Sequence, residues 1–252
     1  MLSLEDRHVL IVGGSRGIGA SAARLSAKAG ADVSIIYRSN EKAAQDVLST
    51  CRAEKVRAEA FQADVADEAQ LVIAIAEAVD KLGAPDGLVI SAGVFEGLPL
   101  EEMSVEFWDR VMAVNVRATF VAVREAVRYM RRDGMKGSIV IYTSTAGQRG
   151  SSVFSAYATS KGAQIMFMRS MARELGPEGI RVNCIAPAWT ETDMADASLT
   201  ELGRENVAKD FVLGRIGQPG DVANATVFLL SDLASFVTGT TLTVDGGMDM
   251  RG

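Results

Sequence analysis

The stretch HVLIVGGSRGIG, residues 8–19, places an apolar run directly before a glycine-rich turn, and a helical pattern follows at residues 20–30. Gly13 suits a tight turn, Gly17 lets the backbone approach a pyrophosphate, and Gly19 permits close packing of a helix on a strand. The N–H groups at the start of that helix then face the phosphates. Any tight strand-to-helix turn can use such glycines, but their position after the first strand favours a dinucleotide-binding βαβ unit.

Six more apolar runs alternate with longer helical patterns along the chain. Strands separated by helices indicate right-handed crossovers and a mainly parallel sheet, and runs that are apolar throughout indicate strands covered on both faces. We therefore predict an α/β fold: a single Rossmann-like, doubly wound domain over residues 1–252, with a seven-stranded sheet and helices on both faces. The later strands are predicted at residues 33–37, 56–61, 87–90, 138–142, 180–185 and 241–244, and the clearest helix at residues 68–82.

The composition excludes several classes of protein. Lys+Arg 26 against Asp+Glu 32 gives a formal net charge of −6, which argues against nucleic-acid binding because that function needs a basic surface. No apolar run approaches the roughly 18 residues of a membrane span, and the N-terminus lacks a signal-peptide pattern. Cys51, Cys184 and the single histidine, His8, offer neither a disulfide framework nor metal-ligand spacing. We predict a cytoplasmic protein with no metal, no nucleic-acid partner and no membrane association.

A second short stretch, SAYATSK at residues 155–161, places Tyr157 and Lys161 one helical turn apart. A free phenol has a pKa near ~10 and exchanges protons poorly at neutral pH. A cation about 4 Å away, at an effective dielectric constant of about 20, favours phenolate by up to ~4 kcal/mol, or roughly three pKa units. We therefore expect Lys161 to lower the pKa of Tyr157. Ser144, at the end of a predicted strand, is either a plain turn residue or a donor to a substrate oxygen.

The end of the second predicted strand reads YRSN and carries no acidic residue. A nicotinamide dinucleotide without a 2′-phosphate usually meets an acidic residue there, which accepts hydrogen bonds from the ribose. Here Arg38, with Arg16 from the glycine turn, can clamp a 2′-phosphate by charge-assisted hydrogen bonds, and Tyr37 and Ser39 flank it. The alternative is that Arg38 is a solvated loop cation. We predict the cofactor to be NADP(H).

Asp64 and Val65 follow the third predicted strand. One interpretation places them at the adenine edge of the dinucleotide, through the carboxylate and a backbone N–H. The other makes Asp64 the cap of the helix that begins near Asp67. The residues alone leave both interpretations open.

Five motifs resemble the short-chain dehydrogenase/reductase family, in the same order and nearly end to end. They are the glycine turn, Asn115 in VMAVNVRATF, Ser144 in YTSTAG, Tyr157 and Lys161 in YATSK, and residues 214–248. The resemblance implies that Tyr157 is the general acid for a carbonyl oxygen, that Ser144 bonds that oxygen, and that Lys161 also bonds the nicotinamide ribose. It assigns Asn115 to a helix kink and to a water-mediated proton path that reaches Lys161. The alternative for Asn115 is an ordinary buried amide.

The same resemblance extends the expected dinucleotide site and reveals departures from the family. Val12 replaces the usual threonine before the first glycine, ISAG at residues 90–93 replaces NNAG, and alanine follows Pro187 where glycine is usual. None of these changes touches the proton-transfer groups. By resemblance, Thr192 bonds the nicotinamide carboxamide and Thr190 contributes through its backbone. The remaining expected contacts are Ser15, Ile18, Ser91, Ala92, Gly93 and Pro187.

Residues 188–211 correspond to the segment that varies among family members, and we expect them to form a substrate lid. An aromatic-rich wall would favour a hydrophobic or cyclic ketone, although each candidate residue is more often simple packing. The candidates for the substrate pocket are Phe95, Gln148, Phe154, Trp189 and Met194.

One branch of the family, the 3-oxoacyl carrier-protein reductases, docks an acidic carrier on basic residues near the mouth of the active site. One such position corresponds to Glu178 here, and a carboxylate repels an acidic carrier. Arg131, Arg132 and Lys136 remain as substitutes. The branch therefore stays an alternative.

The leading hypothesis is an NADPH-dependent oxidoreductase that converts a small-molecule ketone to an alcohol, reversibly. A sensor or scaffold that binds NADP(H) is the non-enzymatic alternative. A nucleotide-sugar epimerase or dehydratase is a third, which generally needs a larger C-terminal region than the chain has beyond Pro187. Apolar residues on more than one face of the helices at residues 115–130 and 157–175, together with the resemblance, predict a homotetramer.

Overall fold

Seven strands form one sheet in the computed structural model, which describes residues 2–250. They are β1 (His8–Val12), β2 (Asp32–Tyr37), β3 (Ala58–Gln62), β4 (Gly87–Ile90), β5 (Gly137–Tyr142), β6 (Ile180–Pro187) and β7 (Thr241–Val244). They lie in the order β3-β2-β1-β4-β5-β6-β7, and every pair of neighbours is parallel. The predicted fold is confirmed, and the sheet is wholly rather than mainly parallel. Each predicted strand is present, with bounds that agree to within two residues.

Helices connect successive strands and cover both faces of the sheet. They are α1 (Gly17–Lys28), α2 (Glu41–Ala53), α3 (Glu68–Leu82), α4 (Val105–Met112), α5 (Ala118–Arg132), α6 (Ala146–Arg149), α7 (Ser155–Leu175), α8 (Asp196–Leu202), α9 (Arg204–Ala208) and α10 (Pro219–Leu230). A π turn, Ala113–Arg117, joins α4 to α5. The helix predicted at residues 68–82 matches α3 at both ends. Within residues 2–250, none of these helices has the length and apolar character that crossing a bilayer requires.

The strands send alternate side chains into two helix layers. Val9 and Ile11 of β1 pack with α1, α2 and α10, whereas Leu10 and Val12 pack with α3, α5 and α7. All four side chains are at most 1% exposed, because helices cover each face of the sheet. A ligand therefore reaches the sheet at the ends of its strands.

The order of strands reverses between β1 and β4, so the carboxyl ends of these two strands frame a crevice. Beyond β1, the N–H of Gly13 donates to the carbonyl oxygen of Ile36 (2.8 Å). Beyond β4, the N–H groups of Ser91 and Ala92 both donate to the carbonyl oxygen of Val12 (2.8 Å each). These bonds fix two of the loops that carry predicted functional residues.

The predicted lid, residues 188–211, contains two helices and a small core of its own. Leu199 of α8 and Val207 of α9 are buried in this core. Arg204, at the start of α9, forms an ion pair with Glu191 (3.2 Å). The segment is therefore a structured flap whose two helices support each other.

His8, the single histidine, lies in a buried polar cluster at the amino end of β1, whereas the crevice lies at the carboxyl ends of the strands. Its Nδ1 lies 2.8 Å from the carbonyl oxygen of Gly83, and its Nε2 lies 2.6 Å from Ser34 Oγ. A carbonyl only accepts, so Nδ1 carries the proton of the neutral ring and Nε2 accepts from Ser34. Burial of the ring lowers the pKa of His8 to about 4. The neutral imidazole is therefore the form that the fold stabilises.

This cluster makes the stability of the fold depend on pH. The unfolded chain takes up a proton on His8 near pH ~6.5, whereas the folded chain resists protonation until pH falls to about 4. The stabilisation is complete above the unfolded pKa, and we expect it to fall by about 3 kcal/mol as pH drops through this window. Urea unfolding of the wild type and of His8→Asn at a series of pH values measures it. A difference between the two proteins that stays constant with pH would contradict the prediction.

Candidate active site

A cavity of about 600 Å³ opens where β1, β4, β5 and β6 end. The glycine turn after β1 borders one side, and the beginning of the lid borders the other. Ser144, Tyr157 and Lys161 line the same cavity. The fold thus brings the predicted phosphate-binding turn and the predicted proton-transfer groups into one space.

The glycine turn passes so close to other backbone atoms that a Cβ at Gly13 or Gly19 would clash with them. Gly13 has a φ of +88°, and a Cβ on it would lie 2.5 Å from the backbone nitrogen of Ala92. A Cβ on Gly19 would lie 2.2 Å from the carbonyl oxygen of Gly13. The close approach that was predicted between helix and strand is therefore between α1 and the turn after β1, and Gly19 does not itself line the cavity. Gly17, with a φ of +54°, begins α1. Ser15, Arg16, Gly17 and Ile18 line the cavity.

The start of α1 fits a pyrophosphate. Its N-cap residue is Arg16, and no side chain among residues 2–250 caps the first turn. The N–H groups there therefore keep their capacity to bind an anion. The other predicted dinucleotide contacts, Ser91, Ala92, Gly93, Pro187, Thr190 and Thr192, also line the cavity.

The two arginines predicted to hold a 2′-phosphate differ in their surroundings. Arg16 lies 3.2 Å from Asp193 of the lid. Arg38 is exposed at the cavity and, within the described residues, its guanidinium has no hydrogen bond or ion pair. Tyr37 is buried beneath it and Ser39 is exposed beside it, and both line the cavity. This end of the cavity therefore carries an uncommitted positive charge.

Asp64 does not cap α3, so the capping interpretation is wrong. The cap is Asp67, whose Oδ1 accepts from the N–H groups of Ala69 (2.9 Å) and Gln70 (3.2 Å). Asp64 instead accepts from the N–H of Ala66 within its own loop (2.9 Å). Asp64 and Val65 line the cavity, and their contact with adenine stays a prediction.

Tyr157 and Lys161 project from α7 toward the end of β5. Lys161 Nζ donates to the carbonyl oxygen of Tyr142, the last residue of β5 (2.8 Å), and lies 5.7 Å from the centroid of the Tyr157 ring. Lys161 is only 6% exposed. The ammonium is therefore buried and held between the sheet and the tyrosine.

The protonation of this pair differs from the sequence-based expectation. Burial raises the pKa of Tyr157 to about 12, opposed by a hydrogen bond with the Ser144 side chain. Burial also lowers the pKa of Lys161 to about 8. The expected lowering of the Tyr157 pKa by Lys161 is not observed, because the low dielectric disfavours both charged forms and the ammonium donates to Tyr142. The resting tyrosine is a protonated phenol.

Asn115 lies in the π turn and ties three segments together. Its side chain accepts from the N–H of Val94 (2.8 Å), donates to the carbonyl oxygen of Val94 (3.1 Å) and donates to Ser160 Oγ (2.9 Å). Its own carbonyl oxygen accepts from Thr119 Oγ1 (2.7 Å) and Gln164 Nε2 (2.8 Å). The expected helix irregularity is present as the π turn. Asn115 does not line the cavity, and the water-mediated path to Lys161 stays a prediction.

Aromatic rings dominate the substrate end of the cavity. Phe95 stacks on Phe154 with centroids 4.5 Å apart and meets the Tyr157 ring edge to face at 4.9 Å. Trp189 and Met194, from the start of the lid, also line the cavity. Four of the five predicted pocket residues therefore line the cavity, and one of them, Phe95, contacts the Tyr157 ring.

Gln148 is the exception, and its predicted place in the pocket needs correction. It is not among the residues that line the cavity; instead its amide Nε2 donates to Thr243 Oγ1 on β7 (3.3 Å). The structure places Gln148 in α6 with its side chain directed toward the sheet. Sequence reasoning also missed Arg149 and Met248, which line the cavity. Met248 ends the 214–248 motif, which by itself does not indicate that this side chain reaches the cavity.

Comparison with known proteins agrees with this geometry. A family model described as enoyl-(acyl carrier protein) reductase matches residues 12–249. The 3-oxoacyl-[acyl-carrier-protein] reductase of Staphylococcus aureus is 36% identical, over 97% of this chain and 98% of the relative. The chain belongs to the short-chain dehydrogenase/reductase family. It is therefore an oxidoreductase of a family that uses a nicotinamide cofactor, as the resemblance implied.

Solved structures of short-chain dehydrogenases/reductases and related proteins share the whole fold. A dehydrogenase/reductase from Sinorhizobium meliloti has a TM-score of 0.91 and 39% identity, and the match covers 99% of this chain and 97% of that one. A blue fluorescent protein from a metagenomic library, solved in complex with NADPH, has a TM-score of 0.90 and 35% identity. That match covers 98% of this chain and 100% of that one.

The packing of the glycine turn gives a matched pair of variants. Gly19→Ala puts a Cβ against a backbone oxygen that cannot move without distorting the turn, and such overpacking costs about 1–3 kcal/mol. A Cβ on Gly220, in the first turn of α10, would have no described atom within 4 Å, so Gly220→Ala should be neutral or stabilising by up to about 1 kcal/mol. Thermal unfolding should show a lower Tm for Gly19→Ala alone. Equal Tm values for both variants would contradict the tight packing.

Proposed function

We propose that this protein is an NADP(H)-dependent reductase that converts a ketone to an alcohol, reversibly. One observation carries the proposal: the Tyr157 phenol and the buried Lys161 ammonium beside it line the same cavity as Ser144 and the glycine turn. NADPH supplies the hydride when bound. The chain supplies the proton and the groups that hold the carbonyl oxygen.

The roles of the side chains follow from their protonation. With a pKa of about 12, Tyr157 is protonated at neutral pH and can give its proton to a carbonyl oxygen. With a pKa of about 8, Lys161 is mostly ammonium at pH 7 and stabilises the phenolate that proton transfer leaves behind. The Ser144 hydroxyl, which lines the same cavity, donates to that carbonyl oxygen as charge develops on it. Asn115 acts as a positioning residue that holds the loop after β4 against α7.

Three features support NADP(H) over NAD(H). The end of β2 carries Arg38 in place of an acid, and this guanidinium is exposed at the cavity. Arg16 and Ser39 lie at the same end and offer further donors to a 2′-phosphate. One structural relative was solved with NADPH.

Removal of the phenol hydroxyl separates an enzyme from a sensor. Tyr157→Phe should lower the rate of ketone reduction at least about 100-fold, because the general acid is lost. NADPH binding, followed by fluorescence, should persist. Tyr129→Phe, which removes a hydroxyl from α5 outside the cavity, should retain wild-type turnover. Normal turnover by Tyr157→Phe would refute the assigned role, and a wild type that binds NADPH but reduces no carbonyl would favour a sensor or scaffold.

Charge reversal at Arg38 tests the choice of dinucleotide. Arg38→Asp should weaken NADPH binding by about 10- to 100-fold, since charge-assisted hydrogen bonds are lost and repulsion is added. NADH binding should change little. Lys28→Asp makes the same change of charge at the end of α1, away from the cavity, and serves as the control. Equal weakening of NADPH and NADH would refute the phosphate clamp.

Reduction of a 3-oxoacyl group on a carrier protein is the second candidate, because a Staphylococcus aureus relative carries that name. The charges argue against it. Arg131 donates to both carboxylate oxygens of Glu178 (2.6 and 2.8 Å), and Arg132 donates to Asp133 (2.7 Å). Both arginines are thus paired with neighbouring carboxylates, which leaves Lys136 alone of the three predicted basic residues to attract an acidic carrier. Comparing a free acyl thioester with the same acyl group on the carrier separates the candidates, because only a carrier-dependent enzyme prefers the second.

The homotetramer and the cytoplasmic location remain predictions. Two apolar side chains fit the first of them: Phe120 on α5 is 45% exposed and Met166 on α7 is 58% exposed. Both lie on the helices whose second apolar face suggested subunit contacts. Burial of this surface against further copies would remove it from water.

A further inference from the structure

Aromatic rings from separate parts of the chain form one wall of the cavity. Phe95 follows β4, Phe154 precedes α7 and Trp189 follows β6; these three residues are called the ring wall. The planes of Phe95 and Phe154 are parallel within 1°, and Trp189 meets Phe95 edge to face at 5.7 Å. All three are half-buried and line the cavity next to Tyr157. Part of their carbon surface is therefore accessible to a ligand.

The backbone holds the ring wall in place. Val153 has a φ of +62°, a left-handed conformation that β-branched residues rarely adopt. Its carbonyl oxygen and the Phe154 ring each come within 2.7 Å of the position that a Cβ on Gly97 would take. Strain of this kind persists only where the surroundings over-determine it. Val153 and Gly97 thus fix the Phe154 ring against Phe95.

Charged side chains at this end of the cavity are already paired. The pairs, with their N–O distances, are Glu96 with Arg110 (2.6 Å) and Arg149 with Asp249 (3.9 Å). The Lys161 ammonium donates to Tyr142. In the part of the chain that the structure describes, both of these arginines are thus already paired with carboxylates, and the Lys161 ammonium is the group that the proposed function assigns to the Tyr157 phenolate. A carboxylate or phosphate on the substrate would compete with these partners.

We propose that the substrate is a small uncharged ketone whose carbonyl carbon carries a flat aromatic ring. The ring packs on the ring wall while the carbonyl oxygen reaches Tyr157 and Ser144. Aromatic pairs gain more than their buried area alone provides, and they do so in stacked or edge-to-face geometry. The proposal rests on the proposed function and narrows its substrate.

Four ketones test the substrate class with the wild-type protein and NADPH. Acetophenone carries the flat ring, cyclohexyl methyl ketone has the same size without aromaticity, 2-octanone is linear, and phenylglyoxylate adds a carboxylate. We expect kcat/KM for acetophenone to exceed that for cyclohexyl methyl ketone by about fivefold or more. We expect phenylglyoxylate to be poorer than acetophenone by at least about tenfold, because its charge would be desolvated without a partner. A preference for the cyclohexyl, linear or charged ketone would overturn the proposal.

Variants of the ring wall then test whether these residues cause the preference for acetophenone over cyclohexyl methyl ketone. Phe95→Leu and Phe154→Leu should bring the ratio of acetophenone to cyclohexyl methyl ketone close to one. Gly97→Ala should also bring this ratio close to one, because the added methyl group would displace the Phe154 ring. Phe120→Leu, on α5 outside the cavity, should leave the ratio unchanged. An undiminished ratio in all three wall variants would overturn the proposal while leaving the reductase assignment intact, whereas a wild type that reduces none of the ketones would remove both.

Discussion

A buried ammonium group is the constraint on which the site depends. Burial disfavours the charge on Lys161, so the surrounding chain has to hold it. The carbonyl oxygen of Tyr142, at the end of β5, accepts a hydrogen bond from the ammonium. Helix α6 packs so closely on α7 that a Cβ on Gly147 would lie 2.6 Å from the Lys161 carbonyl carbon. The π turn secures the other side through Asn115 and Gln164, each at most 1% exposed. Helix α7 is therefore attached to the sheet and to the loop after β4 by buried polar contacts.

Those features that local sequence determines were predictable. Alternating helical and apolar runs located all seven strands, because strands buried on two faces must be apolar throughout. The four-residue spacing of Tyr157 and Lys161 predicted their proximity, since a helix brings such positions onto one face. The glycine turn was also predictable from the sequence, because Gly13 and Gly19 occupy positions where a Cβ would clash with backbone atoms.

Other features depend on contacts between distant parts of the chain and were not predictable. Asp67 rather than Asp64 caps α3, a choice that the exact end of the preceding loop decides. Gln148 turns toward β7, and Met248 reaches the cavity from the C-terminal segment. The pKa of Tyr157 is raised, although the sequence predicted that Lys161 would lower it. Spacing along a helix gives the proximity of two residues but not the depth of their burial. Sequence therefore identified the participants more reliably than their electrostatic environment.

The parts of the cavity differ in what they are built from. The groups proposed to move the proton sit on α7 and just after β5, elements fixed by the core, whereas the ring wall comes from three connecting loops. Loops accept substitution more readily than a packed core does. Evolution can thus exchange the ligand that such a scaffold accepts by altering a few loop positions, leaving the inherited reaction machinery undisturbed.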